Sequence, residues 1–173
     1  MEPFTLETLS LLGTSEISQL ADVLVDCVEG GASVSFMAPL SRDKAIAFWA
    51  SIDRGMRLGE RVVVVARSDD GTIVGCVQLV LDLPENQPHR ADISKMLVHR
   101  AHRRKGIARA LMTEIERVAA AHGRSLLVLD TANDGAEDLY RKAGWIQCGV
   151  IPDYALFPDG RPCATTIMYR RLK

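Results

Sequence analysis

The sequence lacks the features that would place it in several specialised classes of protein. No apolar run approaches the roughly 20 residues of a membrane-spanning helix, and the opening MEPFTLETLSLLG has no short apolar core typical of a secretory signal. The four cysteines, Cys27, Cys76, Cys148 and Cys163, are scattered and form neither a CxxC pair nor a zinc-binding spacing with histidine. These absences predict a cytoplasmic protein with free thiols, without a metal ion and without a membrane partner.

Neither sign of charge prevails in the chain. Lys and Arg number 21 against 22 Asp and Glu, which gives a formal net charge of −1. General nucleic-acid binding relies on an excess of basic residues, so we expect no nucleic-acid partner. The motifs GxxxxGK[ST] and GxGxxG are also absent, which removes the main sequence support for nucleotide hydrolysis and for dinucleotide binding.

The length and the apolar patterns predict one domain that spans residues 1–173. Alternating or β-branched runs typical of strands are FTLETL, RVVVVAR, TIVGCVQLVL, RADISKMLV, SLLVLD, WIQCGVI and ATTIMYRR. Helical spacing appears twice after the first strand, once after the fourth and once after the fifth. The resulting order, βααβββαβαββ, predicts an α/β fold with a mixed, mostly antiparallel central sheet flanked by helices.

Positive charge is concentrated where the strand RADISKMLV passes into the following helix. Arg103, Arg104 and Lys105 precede Gly106, where the helix is expected to begin. The free N–H groups of a first helical turn already carry partial positive charge, so basic residues there are unfavourable unless an anion binds. A glycine that lets a ligand approach, together with flanking arginines, predicts a phosphate or pyrophosphate site at this turn. A solvated basic turn without a ligand is the alternative.

The spacing Arg103-x-x-Gly106-x-Ala108 resembles the coenzyme A pyrophosphate loop, R/Q-x-x-G-x-G/A, of GNAT-superfamily N-acetyltransferases. Further along, NDGAEDLYRKAGW resembles the pattern N-x-x-A-x-x-x-Y-x-x-x-G-[FW] of the same family. The two blocks occur in the family's order and at its usual separation, between about Ala91 and Trp145. This resemblance implies the GNAT fold and an acetyltransferase that uses acetyl-CoA as its cosubstrate.

By their positions in these motifs, three groups of residues are implied to bind the coenzyme. Backbone groups of the strand would bind the pantetheine arm, at Met96, Leu97 and Val98. The basic turn and the start of the helix would bind the phosphates, through Arg103, Arg104, Lys105, Gly106, Ile107, Ala108 and Arg109. The downstream block would contribute Asn133, Ala136 and Tyr140. Arg109 could equally be a solvated helix residue.

Acetyl transfer from a thioester to an amine needs a proton acceptor for the amine and a donor for the departing thiolate. The resemblance implies that Tyr140 is the general acid, and a phenol with a pKa near ~10 keeps its proton at neutral pH. Asp92 and Asp130 are the candidates for the base or for a group that orients the amine. Strand alternation places Asp92 with Ser94 and Met96 on one face, and Ile93, Lys95 and Leu97 on the other. Alternatively, Tyr140 only packs against its neighbours, and the aspartates only cap a helix.

The stretches EGGASVSFMAPLSRDKAIAFW and IPDYALFPDGRPCATTIMYRR look like those of the tabtoxin-resistance acetyltransferase group. That group acetylates the amino group of a small amino-acid-like toxin, so the resemblance implies a small-molecule amine as acceptor and a function in toxin or antibiotic resistance. A protein N-terminal or lysine acetyltransferase and a non-catalytic coenzyme-binding domain are the alternatives. Strand edges near the C-terminus predict a homodimer.

Overall fold

The computed structural model describes residues 4–132 and 134–172, in which seven strands form one sheet with helices on both faces. The strands are β1 (Phe4–Leu9), β2 (Arg61–Ser68), β3 (Ile73–Val80), β4 (Arg90–Val98), β5 (Leu126–Thr131), β6 (Ile146–Leu156) and β7 (Pro162–Arg171). The helices are α1 (Thr14–Glu29), α2 (Arg42–Arg57), α3 (Ile107–Ala121) and α4 (Asp134–Lys142). The predicted order of helices and strands is confirmed.

The strands lie in the order β1-β2-β3-β4-β5-β7-β6. Only β4 and β5 run parallel, which confirms a mixed and mostly antiparallel sheet. Because β7 lies between β5 and β6, the long strand β6 forms an edge and exposes apolar side chains such as Ile146 and Val150. A homodimer through such an edge stays a prediction.

Both faces of the sheet are covered, which explains the continuous valine run of β2. On one face, α1 and α2 pack on Val63 and Val65, with Trp49 of α2 fully buried. On the other face, the apolar stripe of α3 packs on Val64 and on Leu79 of β3. Among the described residues, no helix combines the length and the apolar character needed to cross a bilayer.

The helix α3 packs closely against the sheet at Gly75 of β3. A Cβ atom at this position would lie 3.0 Å from the backbone oxygen of Leu97, 3.2 Å from Cγ2 of Ile107 and 3.3 Å from Cδ1 of Leu111. Only a glycine therefore lets the first turns of α3 rest on β3 beside the end of β4. This contact fixes where the N-terminus of α3 lies.

The middle of β4 contains a bulge. Its register against β3 shifts by one residue between Cys76 and Gln78, and Lys95 has a φ of 50°. Consequently Leu97 packs in the cluster on the α1 and α2 face, whereas Met96 packs with Ile93 on the α3 face. The predicted faces of Met96 and Leu97 are therefore wrong, because the extra residue of the bulge reverses the alternation that follows it.

Lys95 also lies on the opposite face from the one predicted. Its ammonium group is 5.6 Å from the ring centroid of Phe48 on α2. The side chain therefore shares the α2 face with Asp92 rather than the α3 face with Ile93.

The close approach at Gly75 gives a stability prediction. We expect Gly75→Ala to lower the free energy of unfolding by about 1–3 kcal/mol, since the added methyl group pushes α3 away from the sheet. Gly149→Ala on β6 is the matched control, because a Cβ atom there meets nothing within 4 Å, and its effect should stay within about 0.5 kcal/mol. Urea unfolding measures both, and equal effects of the two substitutions would contradict the close approach.

Candidate active site

The strands β4 and β5 pair only at their beginnings and then diverge. The parallel pairs are Arg90 with Leu126, Ala91 with Leu127 and Asp92 with Val128, and no later pair joins these two fully described strands. A cavity of about 1670 Å³ fills the gap, lined on one side by residues 93–98 and on the other by residues 129–132. The edge of β4 thus faces the cavity instead of a neighbouring strand, so an extended ligand could pair with its backbone.

One end of this large cavity is formed by the basic turn and the start of α3. Gly106 precedes the helix with a φ of 85°, a left-handed conformation that favours glycine. No side chain caps the helix, so the N–H groups of its first turn remain available to a ligand. Gly106, Ile107, Ala108 and Arg109 all line the cavity. The end of the cavity is therefore suited to an anionic group.

The predicted basic residues differ in whether they line this end of the cavity. Arg103 and Arg104 line the cavity, whereas Lys105 lies in the same turn but outside the lining. Arg103 donates from Nε to the backbone oxygen of Val98 at 3.1 Å, and its Nη2 lies 3.8 Å from Sγ of Cys27. These contacts hold the Arg103 side chain against the end of β4 and the C-terminal part of α1.

The opposite wall is contributed by α4. Ala136 and Tyr140 line the cavity, and Asn133, predicted for the same wall, lies outside the described residues. Tyr140 is only 5% exposed, and its ring centroid is 5.9 Å from that of Trp145. The Trp145 Nε1 group donates to Glu116 on α3 at 2.9 Å, which fixes the indole. Burial, assisted by nearby Asp130, raises the pKa of Tyr140 to about 12, so the phenol stays protonated at neutral pH.

A second cavity of about 400 Å³ lies on the α2 face of the sheet. It is lined by strand residues from below and by Phe48 and Ile52 of α2 from above. The two cavities meet, because six residues line both: Ile93, Ser94, Lys95, Leu129, Asp130 and Tyr154. A ligand in the small cavity could therefore reach a group held in the gap between β4 and β5.

The two predicted aspartates occupy different parts of the small cavity. Asp130 lines both cavities, and its Oδ2 accepts a hydrogen bond from Oγ1 of Thr165 at 2.9 Å. Asp92 lines only the small cavity, and its Oδ2 accepts a hydrogen bond from Nη2 of Arg90 at 3.0 Å. Its buried Oδ1 has no hydrogen-bond partner among the described residues. Burial raises the pKa of Asp92, an effect that Arg90 opposes and Asp130 reinforces.

Three polar residues that line the small cavity, Lys95, Arg61 and Gln78, were not predicted from the sequence. Lys95 donates from Nζ to Oγ of Ser35 at 3.1 Å, and burial lowers its pKa although Asp130 opposes this. Arg61 donates from Nη1 to Oε1 of Gln78 at 3.3 Å. A glutamine inside the apolar run IVGCVQLV was the one available signal, whereas nothing in the sequence marked Arg61.

The arrangement can bring two substrates together for a group transfer. The large cavity offers a strand edge, a helix N-terminus and a buried phenol, and the small cavity offers two carboxylates next to the gap between β4 and β5. Among the described residues, no cluster of three or more His, Cys, Asp or Glu side chains could hold a metal ion. The chemistry that these residues can supply is proton transfer and electrostatic stabilisation.

Comparison with known proteins agrees with this geometry. The chain is similar to an uncharacterized N-acetyltransferase encoded in the hisH-hisA intergenic region of Azospirillum brasilense, with 32% identity over 132 residues, covering 75% of this chain and 76% of that protein. A GNAT superfamily phosphinothricin acetyltransferase from Sinorhizobium meliloti, solved in complex with acetyl-CoA, aligns with a TM-score of 0.80 at 19% identity, covering 99% of this chain and 89% of that one.

A ribosomal-protein-alanine N-acetyltransferase from Brucella melitensis aligns with a TM-score of 0.81 at 20% identity, covering 97% of this chain and 99% of that one. At such identities the two solved structures establish the fold alone. Residues 31–145 match the model of the Acetyltransferase (GNAT) family. With the Azospirillum relative, this match shows that the chain belongs to the Acetyltransferase (GNAT) family.

Proposed function

We propose that this acetyltransferase moves an acetyl group from acetyl-CoA directly to the primary amine of a small amino-acid-like molecule. The observation that carries the proposal is the meeting of the two cavities at the gap between β4 and β5. One cavity is long and ends at a helix N-terminus, as a coenzyme with phosphates requires. The other is small, polar and acidic beside the gap, as an amine requires.

Acetyl-CoA would lie in the large cavity with its diphosphate at the start of α3. Gly106, Ile107, Ala108 and Arg109 would supply backbone N–H groups, and Arg103, Arg104 and Lys105 positive charge. The pantetheine arm would pair with the free edge of β4 at Met96, Leu97 and Val98. Ala136 and Tyr140 would close the other side, with Asn133 assigned by its motif position alone. The thioester would then lie in the gap between β4 and β5.

The reaction begins with the removal of a proton from the acceptor. A primary amine with a pKa near ~10 is only about 0.1% neutral at pH 7, so a carboxylate must take the proton directly or through water. The raised pKa of Asp92 brings it closer to the range in which a base works. Asp130, which lines both cavities, would orient the amine towards the gap.

The neutral amine then attacks the thioester carbonyl, and a C–N bond forms. A backbone N–H of the β4 edge would stabilise the oxyanion. When the C–S bond breaks, the electron pair leaves on sulfur, and Tyr140 donates its proton towards the thiolate. The phenolate left behind is a strong base, since the pKa of Tyr140 is about 12, and it takes the proton that the positively charged nitrogen must lose to become an amide. The products are the amide, the free thiol of coenzyme A and one released proton.

A small acceptor is favoured over a peptide because the small cavity is only about 400 Å³ and the large cavity that it meets is covered by a loop. The loop between α1 and α2 contacts the β6–β7 hairpin, with the N–H of Ala38 donating to the backbone oxygen of Pro158 at 3.0 Å. Oγ of Ser33 also donates to the backbone oxygen of Leu156 at 2.9 Å. A peptide would need an open groove here. The resemblance to the tabtoxin-resistance group supports the same choice, and a protein acetyltransferase is the alternative.

Tyr140→Phe tests the transfer step. We expect the wild-type protein to release thiol from acetyl-CoA only when a small amine is added, and the variant to lose about 100-fold in kcat, since it keeps the ring but lacks the proton donor. The Kd for acetyl-CoA should change less than about twofold. Tyr169→Phe on β7, outside both cavities, is the matched control. Unchanged turnover in the Tyr140 variant would remove the phenol from this step.

The buried phenol also predicts a pH effect on stability. Between the unfolded pKa of about 10 and the folded pKa of about 12, the unfolded chain has released the proton that the folded chain keeps. The free energy of unfolding therefore falls as the pH rises above about 10, and it is lower by about 1.4 kcal/mol at pH 11. Urea unfolding at neutral and alkaline pH should show that Tyr140→Phe lacks this part of the loss. Equal losses in both proteins would contradict the burial of the hydroxyl.

Gly106→Glu tests the coenzyme site. By calorimetry we expect the wild type to bind acetyl-CoA and desulfo-CoA but not NADH, and the variant to bind acetyl-CoA at least about tenfold more weakly, because the carboxylate repels the diphosphate. Gly71→Glu is the matched control: Gly71 has a φ of 83°, so the backbone strain is similar, but it lies in the β2–β3 turn, away from the cavity. Normal affinity in the Gly106 variant would contradict the proposed phosphate site.

A further inference from the structure

The small cavity carries charges of both signs at different places along its floor. Asp130, at the gap between β4 and β5, is the acidic group nearest the proposed position of the acetyl carbonyl. Arg61 and Gln78 lie at the other end, on β2 and β3. An acceptor that is only a cationic amine would use the acidic end and leave the basic end unmatched.

Gln78 is the observation that points to a ligand at the basic end. It is fully buried, at 0% exposure, and its Oε1 already accepts a hydrogen bond from Arg61. Its Nε2 group is buried and has no hydrogen-bond partner among the described residues. A buried donor without an acceptor destabilises the protein, and a ligand that supplies an oxygen atom removes this penalty. The amide orientation is fixed by Arg61, which can only donate.

The position of Arg61 is equally well defined. A Cβ atom at Gly55 of α2 would lie 3.2 Å from Cδ of Arg61, so this glycine makes room for the arginine stem. The described residues give Arg61 no carboxylate partner, and its hydrogen bond to Gln78 uses only one nitrogen of the guanidinium. The remaining N–H groups of such a fork suit a planar oxyanion. Lys95 adds a further positive charge to the same cavity.

We propose that Arg61 and Gln78 bind an anionic group, a carboxylate or a similar oxyanion, at the end of the acceptor remote from its amine. The inference rests on the proposed acetyl transfer and names its substrate class: primary amines that carry a distal oxyanion. The Gln78 Nε2 group and the free N–H groups of Arg61 would donate to this oxyanion, and the amine would lie beside Asp130.

The spacing of the strands indicates how far apart the two groups lie. Adjacent paired strands are roughly 4.8 Å apart, and β4 and β5 diverge beyond Asp92. Gln78 on β3 and Asp130 on β5, two strands away, are therefore separated by at least about 10 Å at the backbone. Hydrogen bonds of about 3 Å at each end still leave several ångströms between the amine nitrogen and the oxyanion. In an α-amino acid the nitrogen and the carboxyl carbon are only about 2.5 Å apart. The oxyanion is therefore on a side chain or at the far end of the molecule.

Pairs of amines with and without a terminal carboxylate test this site. The probes are γ-aminobutyrate and δ-aminovalerate, their counterparts without a carboxylate, butylamine and pentylamine, and glycine as the short acid. With desulfo-CoA bound, calorimetry should give at least about tenfold tighter binding of the two longer acids than of their counterparts or of glycine. Arg61→Met should abolish this preference and change the Kd of the amines without a carboxylate by less than about twofold. Arg61→Lys should keep part of it, and Arg117→Met, on the surface of α3, should keep all of it.

Thiol release from acetyl-CoA, measured with the same probes, separates the two proposals. Tighter binding of the longer acids without thiol release would support the anion site and contradict acetyl transfer to these amines. Thiol release that is equally efficient for amines with and without a terminal carboxylate would support acetyl transfer and overturn the anion site. The anion site is also overturned if none of the probes binds, or if Arg61→Met weakens the binding of amines with and without a carboxylate by the same factor.

Discussion

The proposed active site depends on a backbone constraint: β4 pairs with β3 from Asp92 to Val98, apart from its bulge, but with β5 only from Arg90 to Asp92. Backbone groups at the edge of a buried strand need partners, so such a gap persists only when packing on both strands holds it open. Here α3 rests on β3 and β4 at Gly75, the bulge at Lys95 bends β4, and β7 binds the far side of β5. The proposed coenzyme would be the partner that completes β4.

On each side of this gap, burial raises the pKa of one titratable group. On the α4 side it raises the pKa of Tyr140 and so keeps a neutral donor next to the sulfur of the proposed coenzyme. On the α2 side it raises the pKa of Asp92 while Arg90 limits the rise. The same desolvation suits Tyr140 to the proposed donor and Asp92 to the proposed acceptor, because a phenol starts from an ordinary pKa near ~10 and a carboxyl group from one near ~3.9.

Local patterns in the sequence predicted the order of the helices and strands, the start of α3 at Gly106 and the strand that carries Asp92. Each of these depends on residues close together in the chain, such as an apolar stripe or a glycine at a left-handed turn. The bulge was not predictable, because alternation assumes a regular strand and Lys95 gives no sign of a positive φ. The contact between Arg61 and Gln78 was missed for a related reason: it depends on the register of two strands, and the register is set by packing. Asn133 lies outside the described residues, so its place in the site is predicted by the motif alone.

The insertion of β7 between β5 and β6 has a consequence for how the protein is made. The partner of Asp130 is Thr165, which lies 35 residues further along the chain. While the ribosome has not yet released β7, β5 has only its three pairs with β4, and the carboxylate at its end has no hydroxyl to hold it. The small cavity, which Ile167 of β7 also lines, is therefore complete only after β7 has emerged from the ribosome. A chain that ends before β7 can form the contacts of α3 with β3 while this cavity still lacks part of its lining.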